Sequence, residues 1–211
     1  MLPVQPVTLS DDVVLLEPLT LDHAARLLEA STARRDTYGL TLVPSTPEAM
    51  RAYVELALSE QGRGVSIPFA TCDARTRRVL GATRFMTIER WTWPQPGSPL
   101  QRTREHADVV EIGSTWLAQD AQRTAVNTHA KLLMLTHAFE AWEVRRVTLK
   151  TDARNTRSRN AIERLGARLD GILRAHMPAF DGAIRDTAFF SILAAEWPHV
   201  KARLLERASR T

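Results

Sequence analysis

A short turn between a predicted strand and a predicted helix is the segment of this sequence best suited to bind an anion. The strand covers residues 107–117, the turn runs from Gln122 to Asn127, and apolar spacing predicts a helix over 124–142. The first N–H groups of a helix have no acceptor within it and lie at the positive end of its dipole. The sequence therefore predicts a phosphate-binding turn at this position.

Glu111 is a second residue whose position suggests chemistry. It lies on a mostly apolar strand, on the same face as Val109 and Gly113. A carboxylate in such a strand is either exposed or functional, because burying an unpaired charge is costly. Three interpretations stay open at this point: an exposed side chain, a pair with an arginine such as Arg84, or a general base.

Basic residues are concentrated in one part of the chain. The 211 residues carry 28 Lys and Arg against 24 Asp and Glu, which gives a net charge of +4. Residues 145–174 hold nine basic and three acidic side chains, so this stretch carries +6 and the rest of the chain −2. Such a patch favours a phosphorylated ligand, and the alternative is a solvated helix face.

Cysteine content and hydropathy exclude several classes of protein. The single Cys72 can form neither an internal disulfide nor a cysteine-rich zinc site. No apolar run approaches the roughly 18 residues of a membrane helix, and the first ten residues do not resemble a signal peptide. We therefore expect a cytoplasmic protein with no membrane partner and no metal.

The spacing of apolar residues predicts a mixed α/β fold in a single domain over 1–211. The core is expected to span about 8–195 and the C-terminal tail to form a helix over 198–208. Strands are predicted at 13–19, 65–72, 79–89, 107–117, 146–151, 171–177 and 184–195, with helices after Thr20, from Pro47, and over 124–142 and 155–165. Asn155 is the expected cap of the last of these helices, and Gly166 ends it.

Two segments resemble motifs of the GNAT-type N-acetyltransferases. The turn from Gln122 is similar to the family's pyrophosphate-binding motif, Gln/Arg-x-x-Gly-x-Gly/Ala, with Ala125 and Asn127 at the glycine positions. The run 152–158, followed by 161–167, resembles the family's Asn-x-x-Ser/Ala segment that ends in Leu-Gly. The sequence looks closest to the ribosomal-protein alanine acetyltransferase branch. Asn127 either donates a hydrogen bond to the phosphate or displaces it by its bulk.

The resemblance implies a mostly antiparallel sheet that splays open between strands 107–117 and 146–151, with flanking helices and acetyl-CoA as co-substrate. Residues of the two motifs and of the preceding strand would bind it. This set comprises Trp116, Leu117, Gln122, Arg123, Thr124, Ala125, Val126, Asn127, Asn155, Arg157, Ser158 and Arg159. Backbone N–H groups near Trp116 and Leu117 would polarise the thioester carbonyl, and the phosphates would account for part of the basic patch.

The resemblance also implies catalytic roles. Glu111 lies eleven residues before Gln122, as does the catalytic glutamate of several histone-acetyltransferase members, which makes it the predicted general base. Ser158 takes the place of the tyrosine with which many relatives protonate the leaving thiolate. Asn155, on the same segment, is also assigned to the catalytic residues. The alternative for both residues is a role as helix N-terminal caps.

The predicted acceptor is a primary amine, either the α-amine of a protein N-terminus or a small-molecule amine. Trp91 and Trp93, in the loop 91–104, and Arg84 are predicted to contact it, although the tryptophans alternatively pack on the domain or on a partner subunit. Direct attack is expected, because Cys72 has no histidine partner in sequence that would support an acyl-enzyme.

Two other interpretations remain open from sequence. Ala125, Asn127 and the missing tyrosine favour a non-catalytic acyl-CoA sensor or binding module. The basic patch favours an RNA-associated domain, but no RNA-binding motif is present, so nucleic acid is not expected as a partner. A homodimer also stays open.

Overall fold

The computed structural model describes residues 3–95, 97–103 and 105–209, so Pro96 and Arg104 of the loop 91–104 lie outside the described residues. The strands are β1 (Leu9–Ser10), β2 (Val14–Pro18), β3 (Ser66–Asp73), β4 (Val79–Glu89), β5 (Val109–Leu117), β6 (Arg146–Asp152), β7 (Arg168–Pro178) and β8 (Ile184–Leu193). The helices are α1 (His23–Thr32), α2 (Pro47–Gly62), α3 (Val126–Thr136), α4 (Thr156–Arg164) and α5 (Trp197–Ala208). These elements confirm the predicted mixed α/β class.

One eight-stranded sheet has the order β1-β2-β3-β4-β5-β6-β8-β7. Its neighbouring strands are antiparallel except β5 and β6, which run parallel. The β5–β6 ladder contains three residue pairs and ends at Glu111 opposite Thr148, although β5 continues to Leu117 and β6 to Asp152. The two strands therefore separate beyond Glu111, which confirms the predicted splay. We call the space between their diverging parts the β5–β6 gap.

A bulge in β5 accompanies the separation of the strands. Ala82 and Arg84 of β4 face Trp116 and Gly113 of β5, so β5 has one residue more than β4 between these pairs. Ser114, within the extra stretch, has a φ of +48°. A bulge increases local twist and bends its strand, and this one turns β5 away from β6 at the start of the gap.

The two faces of the sheet are covered differently. Helices α1 and α2 pack on the half of one face formed by β2–β5, where Leu27, Met50 and Val54 meet strand residues such as Ala70 and Trp116. Helices α3, α4 and α5 contribute to the larger apolar cluster on the opposite face. Among the described residues, no helix is both long enough and apolar enough to cross a bilayer. The homodimer that the sequence left open stays a hypothesis.

Local signals placed two helix boundaries correctly. The Oγ1 of Thr46 accepts the N–H of Ala49 at 3.2 Å, and α2 begins at the adjacent proline as its fixed φ favours. Asn155 Oδ1 accepts the N–H of Ser158 at 3.0 Å and caps α4. Gly166 follows α4 with a φ of +97°, a conformation that favours glycine.

The predicted helix over 124–142 differs from the observed one at both ends. Thr124 Oγ1 accepts the N–H of Val126, so α3 begins two residues later than expected. The α-helix ends at Thr136 and continues as a π-helical turn over His137–Ala141. The N–H of Trp142 donates to the carbonyl of His137 at 3.0 Å across this wider turn. The buried Trp142 ring then packs against Phe85, with centroids 4.6 Å apart.

Candidate active site

Glu111 lies at the last residue pair before the β5–β6 gap. Its side chain is only 5% exposed and has two partners on the same oxygen. Lys150 Nζ lies 3.0 Å from Oε2, and the hydroxyl of Thr87 donates to Oε2 at 3.1 Å. The partner of Glu111 is therefore Lys150 rather than Arg84, whose guanidinium pairs with Glu60 at 2.9 Å.

The second oxygen of Glu111 accepts no hydrogen bond from the described residues. This atom, Oε1, lies over Gly113, where an added Cβ would stand only 3.0 Å from it. The same Cβ would stand 2.7 Å from Met86 Sδ. The absence of a side chain at Gly113 thus leaves room beside Oε1, so Glu111 has one oxygen held by Lys150 and Thr87 and one that can accept a proton.

The turn before α3 presents a row of unused N–H groups. Within the described part of the chain, the amides of Arg123, Thr124, Ala125, Asn127 and Thr128 have no hydrogen-bond acceptor. Arg123 has a φ of +64°, and the first turn of α3 contains no acidic residue. The side chain of Asn127 makes no hydrogen bond to a described residue, so it does not cap these amides. The donor set fits a diphosphate.

A hydrogen-bonded bridge joins the two sides of the gap. Arg157, from α4, donates to the side-chain oxygen of Gln122 and, at 2.8 Å, to the carbonyl of Thr37. Gln122 donates to the carbonyl of Leu117 at 2.8 Å and to Thr37 Oγ1 at 3.2 Å. Thr37 lies in the 3₁₀ turn Arg35–Thr37 between α1 and α2. No sequence motif pointed to this turn, because the contact joins distant segments.

A cavity of about 330 Å³ lies where this bridge meets the start of α4. Tyr38 and Asn155 are among its lining residues. The Tyr38 ring packs edge-on against Trp116, with centroids 6.1 Å apart, and burial raises the pKa of its phenol. From sequence, Tyr38 is too early in the chain to stand near the second motif, but the fold brings it there.

The match to a known domain decides the family. The model described as an acetyltransferase (GNAT) domain matches residues 14–168. The chain belongs to the GNAT family. An acetyltransferase crystal structure from T. thermophilus has 34% sequence identity and a TM-score of 0.78, covering 98% of this chain and 99% of that one. The fold and family are those of acetyl-CoA-dependent N-acetyltransferases.

Two further proteins are similar to this chain, one in fold and one in sequence. Mycobacterium smegmatis RimJ, in complex with CoA-disulfide, shares the fold with a TM-score of 0.78 at 21% identity, over 98% of this chain and 97% of that one. The Bacillus subtilis (strain 168) protein named ribosomal N-acetyltransferase YdaF is 32% identical over 88 residues. That match covers 42% of this chain and spans about half, 47%, of YdaF.

The residues predicted to bind acetyl-CoA differ in whether they face the β5–β6 gap. Because the N–H of Ala118 donates to Leu80 on β4, strand alternation directs the N–H of Trp116 towards β4 and that of Leu117 towards the gap. Arg123 and Thr124 are exposed. Ser158 is half-buried, and its hydroxyl has no partner among the described residues. Arg159 donates to the carbonyl of Ala153 at 3.3 Å, within its own segment.

The tryptophans predicted to bind the acceptor lie away from the gap. Trp91 and Trp93 follow the end of β4, and the Arg145 guanidinium lies 5.8 Å from each ring. Asp108 accepts the N–H of Trp91 at 2.9 Å and Nε of Arg145 at 2.8 Å. These residues hold the loop at the N-terminal ends of β5 and β6, opposite to the end where the strands separate. Trp91 stays exposed and Trp93 is partly buried, so a role of these rings in binding the acceptor stays a prediction.

Metal ligands are not grouped in this site. Across residues 3–95, 97–103 and 105–209, no set of three or more His, Cys, Asp or Glu side chains is arranged to hold a metal ion. His129 instead pairs with Asp11 at 2.7 Å.

Proposed function

We propose that the protein transfers the acetyl group of acetyl-CoA directly to the α-amine of a protein N-terminus. The observation that carries this proposal is the free Oε1 of Glu111 at the mouth of the β5–β6 gap, with five unused amides at the other end of β5. The first group can take a proton from an amine, and the second can hold a diphosphate. The name of YdaF, a ribosomal N-acetyltransferase, supports a protein acceptor.

The residues on both sides of the gap suit acetyl-CoA as the acyl donor. The five unused amides of the turn would hold its pyrophosphate, and the exposed Arg123 is available for a phosphate contact. The N–H of Leu117, which faces the gap, is the predicted donor to the thioester carbonyl. When bound, acetyl-CoA supplies an acetyl group already activated as a thioester. Gln122 and Arg157 fix the turn and α4 relative to one another beside it.

The cost of deprotonation favours an α-amine over a lysine side chain. At pH 7, neutralising a lysine with a pKa of about 10.4 costs about 4.6 kcal/mol, but neutralising an α-amine with a pKa near 8 costs about 1.4 kcal/mol. Glu111 offers a single free oxygen for that proton, because Lys150 and Thr87 occupy the other. An α-amine, whose deprotonation costs less free energy, therefore suits a site with one free carboxylate oxygen.

Two hydroxyl groups are our proposed proton donors to the leaving sulfur. Ser158 stands in the first turn of α4 with its hydroxyl unpartnered in the described structure. Tyr38 lines the adjacent cavity together with Asn155, and burial raises the pKa of its phenol, so it stays protonated at neutral pH. Asn155 itself is engaged as the cap of α4 and acts by fixing the start of that helix.

The buried cysteine supports direct transfer rather than an acyl-enzyme. Burial, with the nearby Glu17 carboxylate, raises the pKa of Cys72 to about 12, so its thiol is not ionised at neutral pH. A protonated thiol is a poor nucleophile. A cytoplasmic location, where a reduced cysteine persists and ribosomal proteins are made, fits the proposed acceptor.

An acceptor panel tests the proposal. We expect a short peptide with a free N-terminal alanine to be acetylated at its α-amine. The same peptide with a blocked N-terminus and one lysine should react at least about tenfold more slowly, because its amine is harder to deprotonate. Acetyl position is read by mass spectrometry and rate by release of CoA. Exclusive acetylation of lysine or of a polyamine would contradict the proposed acceptor, and CoA binding without turnover on every amine would support the sensor.

A further inference from the structure

Arg185 lies on the sheet face that carries Glu111, on the half that α1 and α2 leave open. It shares a face of β8 with Thr187 and Phe189, because side chains two residues apart point to the same side. Thr187 stands opposite Asp152 and Phe189 opposite Lys150 in the β6–β8 ladder. Thr148, two residues before Lys150, is the partner of Glu111 across the β5–β6 ladder.

The other charged groups on this part of the face are already paired. Lys150 is paired with Glu111 at 3.0 Å. Arg154 binds Asp152 at 2.7 Å and Asp181 at 2.8 Å, and its hydrogen bonds lower the pKa of Asp152. These two cations and three carboxylates contact one another directly, and none of them hydrogen-bonds to Arg185.

The guanidinium of Arg185 has unused donors. Its Nε donates to Thr187 Oγ1 at 3.0 Å, and the terminal nitrogens have no acceptor among the described residues. The side chain is half-buried, and this burial lowers its pKa, whereas the nearby carboxylates of Asp152 and Glu111 raise it. His176 Nδ1 lies 3.0 Å from the same Thr187 hydroxyl, and its ring packs on Phe189. These contacts fix the hydroxyl that binds Arg185 Nε.

We propose that Arg185 binds an acidic side chain in the first residues of the acceptor peptide. A half-desolvated guanidinium with free terminal N–H groups is well suited to a carboxylate, which it can bind through two parallel hydrogen bonds. Glu111 receives the α-amine and Arg185 an acidic group that follows it, so the site selects an acceptor with an acidic N-terminal segment. This inference rests on the proposed function and names the substrate class of the same site.

Two matched peptides test the inference. One has a free N-terminal alanine followed by two glutamates, and the other has two glutamines instead. We expect the wild-type protein to show a KM at least about fivefold lower for the acidic peptide, in line with a charge-assisted hydrogen bond. Arg185→Gln should abolish this difference, with kcat and the KM for acetyl-CoA within about twofold of wild type.

The control variant is Arg174→Gln, which removes the same charge from an exposed position on the neighbouring strand β7. It should retain the preference for the acidic peptide. Equal KM values for the two peptides with the wild-type protein, or a preference that survives in Arg185→Gln, would overturn the inference while leaving the proposed function intact. Failure of the wild-type protein to acetylate either peptide would instead count against the proposed function itself.

Discussion

Glu111→Gln is expected to lower kcat/KM for a peptide acceptor by about 10²–10⁴-fold at pH 7, the usual contribution of a positioned general base. Glutamine has nearly the same size and retains a side-chain oxygen for Thr87, but it cannot accept the proton from the amine. Without the base, the rate depends on amine that is already neutral. It should therefore rise about tenfold per pH unit until the pH reaches the α-amine pKa near 8.

Initial rates across pH 6–9 measure this effect. Glu163→Gln is the matched control, because Glu163 is exposed on α4 and should be replaceable without loss of activity. A Glu111→Gln variant that keeps the wild-type rate both below and above pH 8 would end the role of Glu111 as a base. A loss of rate that is independent of pH would indicate that the carboxylate binds the acceptor instead of deprotonating it.

Lys131→Met is expected to stabilise the protein at neutral pH. Lys131 lies on α3, only 4% exposed, and donates to Thr83 Oγ1 at 3.0 Å and Thr115 Oγ1 at 2.7 Å. No carboxylate of the described residues lies within ion-pair distance of it. Burial alone lowers the pKa of Lys131 to about 7 from an ordinary value of 10.5. The charged form is therefore the costly one, as expected for an amine without a counter-ion.

The sign of the pH dependence follows from this lowered pKa. Between pH 7 and 10.5 the unfolded chain holds a proton on Lys131 that the folded chain does not, so stability rises with pH over this window. Each pH unit in this window raises the free energy of unfolding by about 1.4 kcal/mol at most. Below pH 7 the full cost of burying the charged amine remains. After allowing about 1 kcal/mol for each lost hydrogen bond, we expect Lys131→Met to gain about 2–3 kcal/mol at pH 7.

Urea unfolding at pH 7 and 9 measures both parts of this prediction. The wild-type protein should gain stability between the two pH values more than Lys131→Met does. Lys201→Met is the control, because Lys201 is partly exposed and pairs with Glu140 at the surface, where such pairs contribute about 0–1 kcal/mol. Lower stability of Lys131→Met at both pH values, or an unchanged pH dependence, would show that the amine is tolerated in its charged form.

Local sequence signals predicted those parts of the site that a single segment builds. The strand, turn and helix around Gln122 and the cap at Asn155 depend on residues close in sequence, and both were located correctly. The same signals misplaced both ends of α3. The α-helix gives way to a π-helical turn before Trp142, whose ring packs against Phe85 on β4, and the sequence near α3 does not reveal that contact.

Contacts between distant segments could not be predicted in the same way. Glu111 meets Lys150 only because β6 lies beside β5, and Arg185 joins them only because β8 is inserted between β6 and β7. Thr37 reaches Gln122 and Arg157 through the connection between α1 and α2, which carries no motif. Trp91 and Trp93 suggested a binding loop by their type, but Arg145 and Asp108 hold them at the other end of β5.

Calorimetric titration with CoA tests most directly whether the turn from Gln122 holds a diphosphate. We expect the wild-type protein to bind CoA and Asn127→Asp to bind it at least about tenfold more weakly, since the new carboxylate repels the phosphates and competes for the free amides. Asn127→Asp should remain folded, because an acidic residue in the first turn favours a helix. Asn160→Asp, the same change at an exposed position on α4, should bind like wild type. No measurable CoA binding by the wild-type protein, or equal affinity in Asn127→Asp, would contradict the account.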